Sequence, residues 1–308
     1  MIYPKDMYKL NLNEKTLKKI RNKKSLYLLS KSITHIEFGR DFNKLLKPGD
    51  IPNSVTHLTL GFSFIQPLSL GVIPNSVTHL KFGWCFNRSL GIGVIPNSVT
   101  YLEFGWGFNQ TLEPRVIPKS VTHLKFGYLF DQKLEIGVIP DSVTYLTFGW
   151  NYNKKLDAGV IPNSVTHLKF GYHFNQKLDA GVIPNSVTHL YFGDYFDQQL
   201  YPRDIPNSVT HLYFGQHFDQ PLDTKTIPES IMYLCFRNNM YRHSLPTNIP
   251  DNTFVKMRKT IIFTHYNKWT PYNSKYFNDT YKKFFTSRIN SSILQEIPYE
   301  LVCYLLEY

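Results

Sequence analysis

Apolar and polar positions along this chain follow a phrase that recurs every 22 residues. It restarts at Ile51, Ile73, Ile95, Ile117, Ile139, Ile161, Ile183, Ile205 and Ile227 without insertion, so the 198 residues from Ile51 to Ile249 form nine equal units. A fixed period in the twenties predicts a solenoid. In the unit at residues 73–94, Ile73-Pro74-Asn75-Ser76 predicts a corner, because proline has no backbone donor and Asn-Ser favours turns. Val77-Thr78-His79-Leu80-Lys81-Phe82 is rich in β-branched and aromatic residues and runs into Gly83, which predicts a short strand closed by a bend. Two-residue alternation places Leu80 and Phe82 on one face and His79 and Lys81 on the other. Further apolar residues follow at Phe86 and Leu90. No 3.6-residue period survives the flanking glycine and proline, so the return path is expected to be turns and extended chain.

A lone 22-residue coil with one short strand cannot bury its apolar face. Parallel strands stacked about 4.8 Å apart turn equivalent positions into columns, here those of Ile73, Val77, Leu80, Phe82, Phe86 and Leu90. At roughly 25 cal/mol per Å² of apolar surface, burying a Phe pair and a Leu gains several kcal/mol per coil, set against the ordering entropy of its residues. That balance closes only with neighbours, so the array is expected to fold cooperatively and to need caps.

The phrase IPNSVTHLxFGxxFNQxL resembles the FNIP repeat, a relative of the leucine-rich repeat found in social amoebae and in giant DNA viruses that infect them. Residues 51–248 carry it, and a weaker copy begins at Leu29 (LSKSITHIEFGRDFNKLLKPGD). The resemblance implies a β-rich solenoid of leucine-rich-repeat-like coils of 22 residues with a parallel sheet on one face. It implies no reaction, catalytic residue, metal or cofactor. The expected divisions are a basic N-terminal cap (1–28), the repeat solenoid (29–248), and a C-terminal cap (249–308) with a small helical part. The last coil departs from the phrase: Arg237-Asn238 replaces glycine-aromatic, Met240-Tyr241 replaces Phe-Asn, and Leu245 falls one residue late. Beyond about Thr253 the register lapses.

Charge adds a second layer. The net charge is +11, and residues 1–50 carry 12 Lys/Arg against 5 Asp/Glu, whereas residues 51–249 carry 14 against 13. The basicity belongs to the ends, chiefly KTLKKIRNKK at residues 15–24. Such a run suits an anionic surface or a localisation signal, but a solvated first turn that protects the solenoid end is the commoner role. A nucleic-acid groove reader would carry its charge on the repeats. Cys85, Cys235 and Cys303 lie far apart and match no metal spacing, so free thiols in a reducing compartment are expected. No apolar run reaches the 18 or so residues of a membrane span, and the first residues lack a signal-peptide core. The expectation is a soluble cytoplasmic monomer, in host cytoplasm if viral, with no membrane partner.

Four columns invite chemical readings, the last two of them variable. His35, His57, His79, Tyr101, His123, Tyr145, His167, His189, His211 and Tyr233 form one, but a ladder of parallel rings offers no convergent ligands, which argues against a metal. Neighbouring imidazoles one strand apart discourage each other's protonation. Asn43, Asn87, Asn109, Asp131, Asn153, Asn175, Asp197 and Asp219 form a second, expected to satisfy turn backbone groups between coils. The third, beside the histidines, is Thr59, Lys81, Glu103, Lys125, Thr147, Lys169, Tyr191, Tyr213 and Cys235, and the fourth, after the glycine, is Phe62, Trp84, Trp106, Tyr128, Trp150, Tyr172, Asp194 and Gln216. The aromatic run is either an exposed stripe suited to a protein hot spot or a stack that closes the solenoid edge.

These columns predict a non-enzymatic scaffold for protein–protein recognition, with Trp84, Trp106, Tyr128, Trp150, Tyr172, Lys81, Glu103, Lys125 and Lys169 facing a protein partner whose identity the columns do not name. The aromatic, basic tail at residues 261–289 could grip single strands but lacks an Arg-rich or glycine-aromatic motif, so a cap over the last coil is expected. The end, ILQEIPYELVCYLLEY, has apolar residues at three-to-four spacing with Pro298 at a helix start and Glu300 in the first turn. It is similar to the opening helix of an F-box, as on poxvirus ankyrin-repeat proteins, with Ile297, Pro298, Glu300, Leu301, Leu305 and Leu306 matching. That similarity implies a substrate-recruiting adaptor of a cullin-type ubiquitin ligase; the alternative is a helix that docks on the solenoid end.

Overall fold

The structure, a computed structural model, describes residues 9–12, 33–238, 240–247, 249–250, 253–257 and 260–263. Thirteen short strands form one sheet in chain order: β1 (Lys9–Leu12), β2 (His35–Phe38), β3 (His57–Thr59), β4 (His79–Lys81), β5 (Tyr101–Glu103), β6 (His123–Lys125), β7 (Tyr145–Thr147), β8 (His167–Lys169), β9 (His189–Tyr191), β10 (His211–Phe214), β11 (Tyr233–Phe236), β12 (Phe254–Met257) and β13 (Thr260–Phe263). The strands β1 to β12 are parallel, with each repeat phrase in register with the next, as in His57↔His79 and Leu58↔Leu80. Only β13 runs antiparallel, against β12. The described residues contain no helix. The chain is therefore a β-solenoid of 22-residue coils with a parallel sheet on one face.

The strands are shorter than the expected six residues because turns take both flanks. Val77 N–H closes a turn onto Pro74 O at 3.1 Å, and Phe86 N–H closes another onto Gly83 O at 3.1 Å. His79–Lys81 remains as strand, with Leu80 buried between its half-exposed and exposed neighbours. The expected columns form one continuous core: Ile73, Val77, Leu80, Phe82, Phe86, Leu90 and their equivalents are all buried. A Cβ on Gly127 would sit 1.8 Å from Gly105 O, so from Gly61 to Gly215 this column is glycine where coils pass backbone to backbone, and Arg237 ends it.

Like-with-like ring spacings reveal the curvature. On the outer sheet face His35–His57, His57–His79 and His189–His211 are 4.0, 4.1 and 4.2 Å apart. In the inward Phe82 column the steps are 5.1 to 5.9 Å. In the Phe86 column, deeper still, they are 6.1 to 6.3 Å. Coils that are closer on the histidine side than behind it must fan, so the sheet is the inner, concave rim. A gain of about 2 Å across a layer on the order of 10 Å thick corresponds to roughly 10° per coil.

The departures in the last coil have a structural account. Tyr241 stacks on Phe236 at 4.7 Å and Phe218 at 6.2 Å, so it fills the inward-ring place one residue late, and Leu245 packs against the core. The ladder also continues past the point where the phrase lapses. Thr253 N–H bonds to Pro250 O as Val77 does to Pro74, but Phe254 already pairs with Tyr233. One residue is missing from this corner, which hides the register in the sequence while β12 preserves it in space.

Candidate recognition surface

The histidine column is built on threonine. Thr56 Oγ1 donates to Thr34 O at 3.2 Å, and this bond recurs coil after coil to Thr210 and Thr188. With its proton so engaged, Thr56 Oγ1 accepts from His57 Nδ1 at 3.0 Å; Thr166 and Thr210 hold His167 and His211 likewise at 3.0 and 2.9 Å. The Nδ1–H tautomer follows, and Nε2 is left as an acceptor. Burial, followed by neighbouring imidazoles, lowers the pKa of His57, and His167 and His211 are pushed down to about 4 by the same two causes. Among the described residues no cluster of His, Cys, Asp and Glu is placed to hold a metal.

Beside the imidazoles lies a short charge relay. Glu103 accepts from Lys125 Nζ at 2.8 Å, lies 3.3 Å from Lys81 Nζ, and accepts from Tyr101 Oη at 3.0 Å. Burial alone would raise the Glu103 carboxyl, but Lys125 and Lys81 outweigh it and hold its pKa below the usual carboxylate range. Two coils further on, Lys169 is exposed.

The aromatic column stacks face to face, with ring centroids 5.3 Å apart for Phe62–Trp84, 4.6 Å for Trp84–Trp106, 4.5 Å for Trp106–Tyr128, 5.2 Å for Tyr128–Trp150 and 3.9 Å for Trp150–Tyr172. Trp84 and Trp150 are 45% and 39% exposed, and the other rings are half-buried. The two sequence readings of this run therefore merge: the rings line the solenoid edge and also face solvent. Arg40 caps the stack, its guanidinium 4.9 Å from the Phe62 centroid, a role legible in hindsight because Arg40 follows Gly39 where the aromatic would stand. At the other end the pattern switches. Asp194 is buried and bonds to Arg237 at 2.8 Å, and the strand column turns aromatic, with Tyr191 on Tyr213 at 4.2 Å.

The Asn/Asp column is a hydrogen-bond ladder. Asn109 N–H reaches Asn87 Oδ1, Asp131 N–H reaches Asn109 Oδ1 and Asn153 N–H reaches Asp131 Oδ1, each at 2.9 Å, so amide and carboxylate serve alike. The run at residues 15–24 and the segment at 297–308, with Ile297, Pro298, Glu300, Leu301, Leu305 and Leu306, lie outside the described residues.

A model of the FNIP repeat matches nine overlapping stretches, from residues 28–63 to residues 196–239. The chain belongs to the FNIP repeat family. Its similarity extends to CroV588, whose crystal structure is described as a novel circular LRR protein: the two share 44% identity at a TM-score of 0.70. The match covers 72% of this chain and 33% of CroV588, so this FNIP protein spans about a third of that neighbour's length. No curated protein matches. Among the described residues no helix is long and apolar enough to cross a membrane.

Proposed function

We propose that this FNIP protein is a non-enzymatic scaffold for protein–protein recognition, and that its concave sheet and the adjoining aromatic column form the binding surface. The observation that carries the reading is the ring stack from Phe62 to Tyr172, held in place by stacking while its edges face solvent. Rings already ordered in the free protein lose little entropy on binding, and Trp and Tyr are the residue types that dominate interface energetics. Lys81, Glu103, Lys125 and Lys169 beside them supply a charge pattern that selects among partners. With roughly 10° per coil, the parallel strands span an arc of about a third of a circle, in keeping with the share of the circular neighbour that the chain matches.

Capture from cytoplasmic extract on the full chain, compared with a Trp84→Ala, Lys169→Glu variant, tests this reading. Lys169 makes no ion pair among the described residues and Trp84 is the most exposed ring of the stack, so melting should change by only about 2 °C. A partner enriched by the wild type and lost by tenfold or more on the variant supports the proposal; an unchanged set of captured proteins overturns it. The adaptor reading rests on the residue pattern at 297–308. It requires ligase components to be captured by the full chain and lost on deleting residues 290–308. A nucleic-acid role rests on the basic N-terminus and requires salt-dependent binding.

A further inference from the structure

Two grooves lie end to end around the edge from the sheet. The first, about 740 Å³, has a floor of Asn109, Asp131, Asn153 and Asn175 and a wall that runs from Leu129 to Tyr195. The second, about 620 Å³, continues over Asp197 and Asp219, the next two members of the same column. Together they make one track along the amide ladder.

The ladder leaves donors over. In Asn109, Asn153 and Asn175, Oδ1 is occupied by the next coil's backbone N–H, at 2.9 to 3.0 Å, and by a glutamine Nε2. Since Oδ1 accepts the backbone bond, Nδ2 is the atom that points away, and it has no partner among the described residues. Each such coil presents one free amide donor to the track. The adjoining Phe86-type rings repeat at 6.1 to 6.3 Å. Two residues of an extended peptide advance about 6.4 to 6.8 Å, so alternate carbonyls of such a chain meet successive coils almost in step. Asp131 and Asp219 are neutralised by Lys154 and Arg242, while Asp197 makes no ion pair among the described residues. Arg237 and Arg242 also line the second groove but are paired with Asp194 and Asp219, so the charge left over is that of Asp197, which favours a neutral or basic ligand.

We propose that this track binds an extended, neutral-to-basic peptide segment, its backbone carbonyls accepting from Nδ2 of Asn109, Asn153 and Asn175 at steps of four and two residues, because Asp131 stands between the first two, with a lysine or arginine facing Asp197. The track lies off the sheet face, although its wall meets the end of the aromatic column, with His173 5.1 Å from the Tyr172 ring.

The test starts from a random twelve-residue peptide library panned against the full chain, with the best synthetic peptide measured by fluorescence anisotropy. An N109D/N153D/N175D variant keeps every Oδ1 acceptor and removes the three donors. It should fold, because Asp already stands at 131, 197 and 219 in the same ladder. Losing three hydrogen bonds should weaken the peptide between about tenfold and a thousandfold when read at about 1 M salt, where the three added carboxylate charges are screened. Lys169→Glu should leave affinity unchanged, and cutting the peptide to five residues should abolish binding. If the triple variant melts early, N153D alone should still weaken the peptide several-fold. The proposal is overturned if no peptide is selected, if the Asp variants bind the peptide as tightly as the wild type, or if cellohexaose occupies the track and is displaced by the same substitutions.

Discussion

The inner and outer rims of the same coils obey different rules. On the inner rim, like rings stack at about 4.2 Å and mixed imidazole–phenol steps range from 4.2 to 6.3 Å, half in water, and ring identity drifts from coil to coil. Behind them the Phe86 column repeats at about 6.2 Å, is buried from Phe42 to Phe218, and departs from phenylalanine only through tyrosine, at Tyr152 and, one residue late, the partly buried Tyr241. The lesson is a division of labour. The buried column pushes the coils apart where the arc is widest, and the threonine and glycine ladders draw them together, so the rim facing solvent can vary without altering the fold.

The largest expected effect comes from truncating one rim and not the other. Phe130→Ala should cost about 3–5 kcal/mol by opening a cavity in the shared core, whereas Tyr145→Ala, on a ring 43% exposed, should cost about 1 kcal/mol or less. Chemical denaturation measures both, and equal losses would erase the distinction.

Between the rims, Gly127→Ala drives a Cβ into Gly105 O and should cost about 3 kcal/mol. Gly137 has φ 85° but only the Pro114 side chain nearby, so Gly137→Ala should cost about 1 kcal/mol, the left-handed penalty alone. Circular-dichroism melts of the pair separate close approach from backbone strain.

A smaller change of opposite sign is expected at Tyr152, whose hydroxyl is buried without a hydrogen-bond partner among the described residues. Tyr152→Phe should stabilise the fold by about 1–2 kcal/mol and raise the melting temperature by about 2–4 °C. A decrease would mean that the hydroxyl has a partner.

The effect that pH alone switches belongs to the inner rim. His167 and His211 titrate near 4 in the fold against 6.5 as free side chains. Below about pH 6.5 the unfolded chain takes up protons that the native chain refuses, so stability is complete above that value, falls towards pH 4, and then levels. His167→Phe should flatten part of that slope in melts between pH 7 and 4; an unchanged slope would remove His167 from the account.

The period and the columns were legible because each column repeats one residue type in sequence before it does so in space. The Asn/Asp ladder was readable for the same reason, since Asp131 substitutes where a backbone N–H must be met. Curvature was not, because it arises from a difference of about 2 Å between columns, and no single residue encodes it. Nor could the facing of Trp84 to Tyr172 be read, since a ring can stack and still expose its edge. The strand at Phe254–Met257 was hidden by one missing residue in its corner. The amide track required knowing which atom of Asn153 the ladder consumes.

The account stands on the fanning of the coils, and paired spin labels measure it directly. With Cys85→Ser, Cys235→Ala and Cys303→Ser as background, one pair is placed at Lys81→Cys and Lys169→Cys on the inner rim, and another at Ser89→Cys and Lys177→Cys behind it. Each pair is four coils apart. The inner pair should lie roughly 17 Å apart and the outer pair roughly 25 Å, following column spacings of 4.2 and about 6.2 Å. Equal separations would mean a straight stack and would contradict both the concave recognition surface and the stepped track behind it.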